Sequence, residues 1–458
     1  MKKILIIYLF QIIALALTGQ NIPVPGTAFI GVNIIDPGTK KIIKDQTVYI
    51  EQSFIKQVGK SSEVVLPNNA IRVEARGKYL MPGLAEMHAH TPVPDSTGDY
   101  TLLSQTLFLY FANGITTIRG MLGQPFHLAI KQELFMRNLS NATPDLMFTS
   151  SPSLNGNTVP DIATAERLVR EYKSKGYHFL KIHPGIKRQV YDAIVRTARE
   201  VGIDFAGHVP VEVGIVHALE SGQKTIDHLD GYIEAMAPPL ADLNQNGFFG
   251  FNVTDQVDLK KLKSLVQLTR KSKAWLVPTQ SLFTRWFSPE DPNKMINEKE
   301  ISYMPARTRY SWLQSKTSLL KNELYTQDRY NRFLAIRKKI LHAMYKGKVN
   351  LLLGSDAPQV MNVPGFSIHH EMKTWSEAGI PNWAILQAGT SSVARFFDVQ
   401  SYSGSIASGK YANLILLDKN PVKDIQNIDS ISGVMATGKY YSKQMIEDRL
   451  LTIAKTNE

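Results

Sequence analysis

Met81-Pro82-Gly83-Leu84-Ala85-Glu86-Met87-His88-Ala89-His90 is the stretch that decides the fold. It is a mostly apolar run of strand-like composition that ends in two histidines, two positions apart. Residues i and i+2 of a β-strand point to the same side, so the two imidazoles are predicted to project together from the strand end. Similar apolar runs that end in an ionisable residue recur along the chain.

The stretch is the first of eight predicted strands, and amphipathic helical patterns of about 10–15 residues separate them. The predicted strands are Leu80–His90, Ile115–Met121, Asp145–Ser150, His178–His183, Asp204–Val209, Thr225–Leu229, Trp275–Gln280 and Asn350–Asp356. Eight such units predict an α/β fold of the (β/α)8 barrel type, spanning residues 81–400. A doubly wound sheet is the alternative, and no glycine-rich phosphate loop supports it.

The two ends of the chain have a different pattern of short alternating strands cut by turns. Neither end has enough strands to form a stable sheet alone. Residues 21–80 and 401–458 are therefore predicted to combine into one small β-sandwich domain.

Two connections within the predicted barrel are unusually long and rich in aromatic residues. They lie near residues 235–258 and 286–328. Long loops in compact domains are usually functional, and we expect these two to cover the barrel mouth. The alternative is a helical insertion that packs on the surface away from the substrate.

The first twenty residues predict an export signal. Lys2 and Lys3 precede an apolar run from Ile4 to Leu17, and a small-residue exit ends at Gln20. This pattern is typical of a cleaved signal peptide at residues 1–20, and places the mature protein in the periplasm or outside the cell. The run is short for a membrane span, so no stable membrane anchor is expected.

Composition excludes several functional classes. The chain has 458 residues, 43% hydrophobic and 20% charged, as in ordinary globular proteins. It has no cysteine, which excludes disulfides, iron–sulfur clusters and thiol nucleophiles, so any metal must be held by His, Asp, Glu or lysine-derived ligands. The net charge of +12 is spread along the chain without a basic–aromatic block, and no nucleic-acid partner is expected.

Six ionisable residues close five of the predicted strands. They are His88, His90, Lys181, His208, His228 and Asp356. Active sites of barrel enzymes lie where the carboxyl ends of the strands converge. Burying such groups without partners is costly, and a shared cationic centre would remove that cost for all six together. The set therefore predicts a metal centre.

These residues resemble the amidohydrolase superfamily in its binuclear, lysine-bridged subtype. The resemblance covers nearly everything after the signal segment, and includes Gly354-Ser355-Asp356-Ala357 and the tail from Gly404 to Leu414. In detail the chain is similar to the imidazolonepropionase-like and prolidase-like branch, which includes peptidases acting on dipeptides or C-terminal residues. It departs from the family at Glu86, where Asp is common, and in Thr117-Ile118-Arg119-Gly120, where Thr-Val-Arg-Asp is common.

The resemblance implies two divalent metal ions and a carbamate on Lys181 that bridges them. The nitrogen and oxygen donors suit zinc, with manganese, cobalt, nickel and iron as alternatives. A buried lysine beside cations should have a lowered pKa, which makes its neutral amine available to carbon dioxide. A plain lysine in an ion pair is the alternative. We assign His88, His90 and Asp356 to one metal, and His208 and His228 to the other. A bridging hydroxide would attack a carbonyl, with Asp356 as general base and then general acid.

Three further residues are candidates for substrate binding. His183 would point to the same side as Lys181, Tyr232 could donate to a developing oxyanion, and Arg119 could hold a substrate carboxylate. His369-His370 are expected to serve mainly as helix-cap and supporting residues.

The sequence thus predicts a secreted metal-dependent hydrolase of an amide or peptide C–N bond, dipeptidase- or carboxypeptidase-like. Its partner would be a small molecule or short peptide, and a homo-oligomer is left open. One alternative uses the same site on an ester, lactone or phosphotriester. Another is a non-catalytic binding module, which would be expected to lack ligands.

Overall fold

The computed structural model describes residues 25–239 and 243–458. The predicted signal peptide at 1–20 lies outside the described residues. Within the described ranges, no helix is long and apolar enough to cross a membrane.

A parallel sheet of eight strands forms the centre of the molecule, and its strands lie side by side in chain order. They are β6 (Leu84–Ala89), β7 (Ile115–Gly120), β8 (Leu146–Leu154), β9 (Phe179–Ile182), β10 (Asp204–Gly207), β11 (Thr225–Asp227), β12 (Trp275–Val277) and β13 (Asn350–Leu351). The sheet is curled, so that its first and last strands meet. Met87 N on β6 donates to the carbonyl of Leu353, two residues after β13, at 3.0 Å. Each of the eight predicted strands overlaps an observed one, and the arrangement is consistent with a TIM-like barrel.

Helices follow the strands and cover the sheet. The α-helices are α1 (Thr101–Ala112), α2 (Pro125–Leu128), α3 (Ile130–Met136), α4 (Ile162–Ser174), α5 (Arg188–Val201), α6 (Gly214–Glu220), α7 (Tyr232–Met236), α8 (Leu262–Ser272), α9 (Gln280–Arg285), α10 (Pro292–Met295), α11 (Ala306–Leu320), α12 (Gln327–Lys346), α13 (Phe366–Glu377), α14 (Asn382–Ala388), α15 (Ser391–Phe396) and α16 (Lys443–Thr456). Short 3-10 helices occupy Leu243–Asn246, Phe248–Gln256, Leu259–Lys261, Lys299–Tyr303 and Ile425–Asp429.

Local sequence fixes several helix ends. Asp161 caps α4 by accepting a hydrogen bond from Thr164 N at 2.8 Å. Gly202, in the left-handed conformation at φ 68°, ends α5. The apolar face of α5 is buried against the sheet, so the strand ends are held on a rigid support.

The two termini share a second, mostly antiparallel sheet. Its strands are β1 (Thr27–Asp36), β2 (Lys41–Glu51), β3 (Phe54–Lys60), β4 (Ile71–Glu74), β5 (Tyr79–Pro82), β14 (Leu414–Leu417), β15 (Ile431–Ala436) and β16 (Lys439–Ser442). N-terminal β5 pairs with C-terminal β14. Ala412, just before β14, donates its N–H to the carbonyl of Ser53, just before β3, at 2.8 Å. This bond joins the two ends of the sheet around an apolar core. The prediction that the termini combine is thereby met, while a two-layer sandwich stays a prediction.

Gly83 is the junction between the two sheets. Gly83 N donates to Asn413 O in the terminal sheet at 2.8 Å, and Leu84 N donates to Gly114 O in the parallel sheet at 2.9 Å. The predicted strand Leu80–His90 is therefore two strands, since its first residues belong to β5 and the rest to β6. The apolar run continues through the junction, so it could not reveal the break.

Candidate metal centre

The structure brings the six predicted ligands together at the carboxyl ends of the parallel strands. Asp356 Oδ1 lies 2.6 Å from His90 Nε2 and 3.4 Å from His88 Nε2. Lys181 Nζ lies 3.1 Å from His88 Nε2. The His228 ring centroid is 4.5 Å from those of both His88 and His208. Residues from both ends of the sheet thus converge on one small volume.

This cluster fits a divalent metal ion. One ligand atom from each of His88, His228 and Asp356 lies within 4.8 Å of the others, and all three residues are buried. His228 Nε2 is buried without a hydrogen-bond partner among the described residues, whereas its Nδ1 lies 2.9 Å from Thr279 Oγ1. A buried nitrogen without a partner is costly, and a metal bond would remove that cost. The nitrogen and oxygen donors match the preference of zinc and similar ions.

Two of the candidate ligands lie on left-handed backbone. His228 has φ 60° and Asp356 has φ 66°, a conformation that costs non-glycine residues about 1–3 kcal/mol. Such strain persists only where the surroundings hold it in place. Asn362 Nδ2, which donates to Ser355 O at 2.5 Å, is part of that support beside Asp356.

Glu86 ties the first barrel strand to the turn that carries Asp356. Its Oε1 accepts from His88 N at 2.9 Å and from Ser355 N at 2.8 Å, and its Oε2 accepts from Ser355 Oγ. Burial raises the pKa of Glu86 to about 8. The residue that departs from the family pattern therefore positions backbone near two candidate ligands and lies buried beneath them.

Burial favours the neutral form of three candidate ligands, His88, His208 and His228. Burial, together with the positive charge of Lys181, lowers the pKa of His208 to about 3. The same two causes hold the pKa of His88 well below its usual range, while burial and the neighbouring His208 do so for His228. A neutral imidazole is the form that binds a metal.

Lys181 is buried without an ion-pair partner. Its side chain is almost inaccessible, and no carboxylate oxygen of the described residues lies within 4 Å of its Nζ. Burial lowers its pKa to about 8, against the opposing effect of Asp227 and Asp356. This environment does not match the alternative of a plain lysine in an ion pair.

Arg119 does not reach the barrel mouth, which corrects the expectation that it holds a substrate carboxylate. Its side chain is fully buried beneath the cluster. Nε donates to Met87 O at 2.6 Å, Nη1 to Thr225 Oγ1 at 3.0 Å and Nη2 to Asp227 Oδ2 at 2.9 Å. Its nitrogens are used inside the barrel, so it supports the site from below.

Asp227 connects Arg119 to a candidate ligand. Its Oδ2 lies 2.8 Å from His88 Nδ1, on the opposite side of the ring from the cluster. Burial alone would raise the pKa of Asp227, but Arg119 and Lys181 hold it below its ordinary value. The contact lacks hydrogen-bond geometry, so Asp227 acts on the His88 ring through its negative charge, which increases the basicity of the imidazole toward a metal.

Asp230 and Thr279 contact the ring nitrogens of His208 and His228 that face away from the cluster. Asp230 Oδ2 lies 2.7 Å from His208 Nδ1, and Thr279 Oγ1 lies beside His228 Nδ1. Sequence reasoning missed these residues and Asp227. A signal was available, because Asp227 and Asp230 adjoin His228 in Asp227-His228-Leu229-Asp230.

Tyr232 is also placed differently from the prediction. It lies on α7, fully buried, and its hydroxyl is 2.7 Å from Thr269 Oγ1 on α8. It therefore packs between helices and does not point toward the cluster, which corrects its proposed oxyanion role. His183, in contrast, lies at the mouth, with its ring centroid 4.8 Å from that of His208.

His369 and His370 lie within α13, and each contacts a residue outside that helix. His369 Nε2 lies 3.0 Å from Asn113 O, and His370 Nε2 lies 2.9 Å from Glu300 Oε1. Neither contacts a candidate ligand through these bonds.

Solved structures with the same fold include enzymes that are named for different substrates. A Xaa-Pro dipeptidase with methionine bound in its active site has a TM-score of 0.63 at 19% identity, over 91% of this chain and 100% of that one. Bottromycin amidohydrolase has a TM-score of 0.67 at 18% identity, over 94% and 89%. A. niger ochratoxinase has a TM-score of 0.61 at 16% identity, over 91% and 96%. At these identities the likeness shows the fold alone.

Comparison with curated protein sequences gives no significant match. The sequence profile described as "Amidohydrolase family" matches residues 79–440, which include β5, the whole parallel sheet and all six candidate ligands. The chain therefore belongs to the amidohydrolase family, and is a metal-dependent hydrolase acting on C–N bonds.

Proposed function

We propose that the protein is an exported hydrolase that cleaves the amide or peptide C–N bond of a small molecule or short peptide. The observation that carries the proposal is the buried donor cluster at the barrel mouth. It contains a nitrogen on His228 without a partner and a lysine without a counter-ion among the described residues. Both features are costly in a structural core and useful in a metal centre.

We further propose a binuclear centre with two zinc ions. His88, His90 and Asp356 would hold one ion, and His208 and His228 the other. The amine of Lys181, whose pKa is lowered to about 8, would add carbon dioxide and release a proton to give the bridging carbamate. When bound, the ions would supply a Lewis-acid centre that lowers the pKa of water for attack on a carbonyl.

The residues of the chain would move the proton. Asp356 would accept the proton of the attacking water at its carboxylate and deliver it to the leaving nitrogen. The contact with His90 and the support of Asn362 behind the Asp356 backbone hold this carboxylate within the cluster. His183, whose pKa burial lowers to about 3, would meet the substrate as a neutral hydrogen-bonding group.

The proposal includes the domain organisation. Residues 1–20 would be removed on export, residues 81–400 would form a complete (β/α)8 barrel, and 21–80 with 401–458 would form the sandwich. The connections near 235–258 and 286–328 would cover the barrel mouth.

A matched pair of histidine variants tests the function. His208→Ala removes a candidate ligand, while His217→Ala removes a part-exposed histidine that pairs with Asp192 on the surface. We expect His208→Ala to lose bound metal and amide hydrolysis, and His217→Ala to retain both. Full metal content and full turnover in His208→Ala would refute the metal assignment. A parallel panel of esters and lactones distinguishes the bond, since turnover of esters alone would defeat amide hydrolysis.

A further inference from the structure

Phe249 lies against the candidate metal ligands on a strained backbone. Its ring centroid is 5.5 Å from that of His228 and 6.3 Å from that of His208. Phe249 has φ 56° and ψ 33°, and Gly250 has φ 73° and ψ 18°, so two successive residues adopt the left-handed conformation. Only glycine adopts this conformation without cost, and strain of this kind is concentrated at functional sites.

A rigid platform fixes the position of the Phe249 ring. The ring packs edge-on against Phe283, with 4.9 Å between centroids. Phe283 is fully buried, and the Arg337 guanidinium lies 3.6 Å from its ring centroid. Arg337 is itself buried and donates to Gln280 Oε1 at 2.7 Å and to Pro278 O at 3.0 Å. The ring therefore stays beside the ligands because packing on its far side holds it.

The chain neighbours of Phe249, including Phe248 and Phe251, line an uncharged cavity rich in aromatic side chains. It has a volume of about 610 Å³, and its aromatic lining consists of Phe248, Phe251, Trp286, Phe287 and Tyr325. The lining also includes Val211, three residues after His208. No Lys, Arg, His, Asp or Glu is among the described residues that line it. Such a surface favours an apolar group and penalises a charged one, which would lose its hydration.

A buried lysine holds the Trp286 side of the cavity. Lys316 Nζ donates to Ser288 O at 2.6 Å, to Arg285 O at 2.9 Å and to Trp286 O at 3.0 Å. These bonds satisfy the carbonyls at the end of α9. The cavity is therefore preformed, as binding sites for small molecules usually are.

We propose that Phe249 is a specificity-determining residue, and that it selects substrates carrying an uncharged aromatic or bulky apolar group beside the scissile amide. The Phe249 ring centroid lies 5.5 Å from that of His228 and 6.5 Å from that of Phe248, which lines the aromatic cavity. A substrate amide at the ligands would place one flanking group against this ring and toward the cavity. The inference rests on the proposed amide hydrolysis and adds the substrate class.

Five dipeptides test the substrate class in the metal-loaded enzyme: Phe-Ala, Ala-Phe, Asp-Ala, Ala-Asp and Ala-Ala. The first four place an aromatic or a charged side chain on either side of the scissile bond. We expect kcat/KM for one aromatic dipeptide to exceed that of its Asp counterpart by about tenfold or more. Equal turnover of aromatic and Asp dipeptides would overturn the inference.

Variants at Phe249 then assign the preference. Phe249→Ala should lower kcat/KM for the preferred aromatic dipeptide about 10–100-fold, mainly through KM, and lower it less for Ala-Ala, so that the ratio of the two values falls. Phe249→Tyr keeps the ring and should restore the preference, while Phe135→Ala removes an exposed phenylalanine on α3 and should change nothing. An equal loss for all dipeptides, or loss of bound metal, would mean that Phe249 is only structural.

The outcomes separate this inference from the proposed function. If the metal-loaded wild type hydrolyses Ala-Ala without an aromatic preference, the function stands and the inference falls. If it hydrolyses none of the five dipeptides, dipeptide hydrolysis fails and the inference falls with it.

Discussion

Replacing Asp227 with asparagine should weaken both the fold and the metal centre. Asp227 Oδ2 lies 2.8 Å from His88 Nδ1 and 2.9 Å from Arg119 Nη2, and its Oδ1 accepts from Thr225 Oγ1 at 2.7 Å. The Asp227, His88 and Arg119 side chains are almost completely buried. Asparagine keeps the shape and one oxygen acceptor but removes the charge, so the Arg119 guanidinium is left buried without a counter-ion.

The size of the effect follows from this environment. Breaking a buried ion pair on one side costs about 3–5 kcal/mol, and we expect about 3 kcal/mol because the amide still accepts one hydrogen bond. Loss of a carboxylate behind a metal-binding histidine lowers metal affinity about 10–100-fold. Urea denaturation of the metal-free protein measures the first quantity, and zinc titration against a competing chelator measures the second.

Asp192→Asn is the matched control. Asp192 Oδ1 contacts His217 Nε2 at 2.5 Å, and its side chain is 45% exposed. Because solvent screens such a contact, we expect a loss below about 1 kcal/mol and no change in metal affinity. The reasoning is refuted if Asp227→Asn behaves like this control in both measurements.

Three further changes test other parts of the structure. Burial raises the pKa of Glu371 from 4.5 to about 7, so the folded state retains a proton that the unfolded state has lost, and stability falls as pH rises across that window. Glu371→Gln should remove up to about 3 kcal/mol of the fall in the free energy of unfolding between pH 4.5 and 7, measured by denaturation at several pH values. An unchanged pH dependence of the free energy of unfolding would contradict the assignment. Lys316→Met leaves buried carbonyls without a donor and should lower the free energy of unfolding by about 3 kcal/mol, against under about 1 kcal/mol for Lys173→Met, which loses one exposed contact. Gly207→Ala would place a Cβ 2.6 Å from Ile182 O and 3.1 Å from Lys181 Cδ at a φ of 120°. Calorimetry should therefore show a lower Tm and metal analysis a lower metal content. Unchanged values would show that the site tolerates the methyl group.

The positions of the candidate ligands were predictable because strand ends in a parallel sheet converge. His88, Lys181, His208 and Asp356 each close a buried run, so the pattern of the sequence alone placed them at one edge. The direction in which a side chain points was harder to predict from the sequence. Arg119 lies near a strand end like the ligands, but its side chain turns into the barrel toward an acid that lies more than one hundred positions away.

Residues of the long connections were harder to assign. Phe249 has no strand or helix period to fix its direction, and its ring reaches the ligands only through a left-handed pair of residues. Tyr232 follows His228 closely in sequence, yet the left-handed backbone at His228 and Leu229 sends the chain into α7 and the tyrosine away from the cluster. Such turns depend on tertiary packing, which the local sequence does not encode.

The sheet shared by the two termini has a consequence for biogenesis. Lys78 and Ser432 are hydrogen-bonded partners, although 354 positions separate them. The edge of β5 therefore stays unpaired until β14, near the C-terminal end, has been synthesised. Contacts between residues so far apart in sequence give a high contact order, which slows folding. An open β edge invites aggregation, so a nascent chain should depend on a chaperone throughout this interval. Once that edge is closed, β5 and β14 hold the two ends of the chain together, so a single proteolytic cut in a loop of the parallel-sheet region would leave the fragments associated.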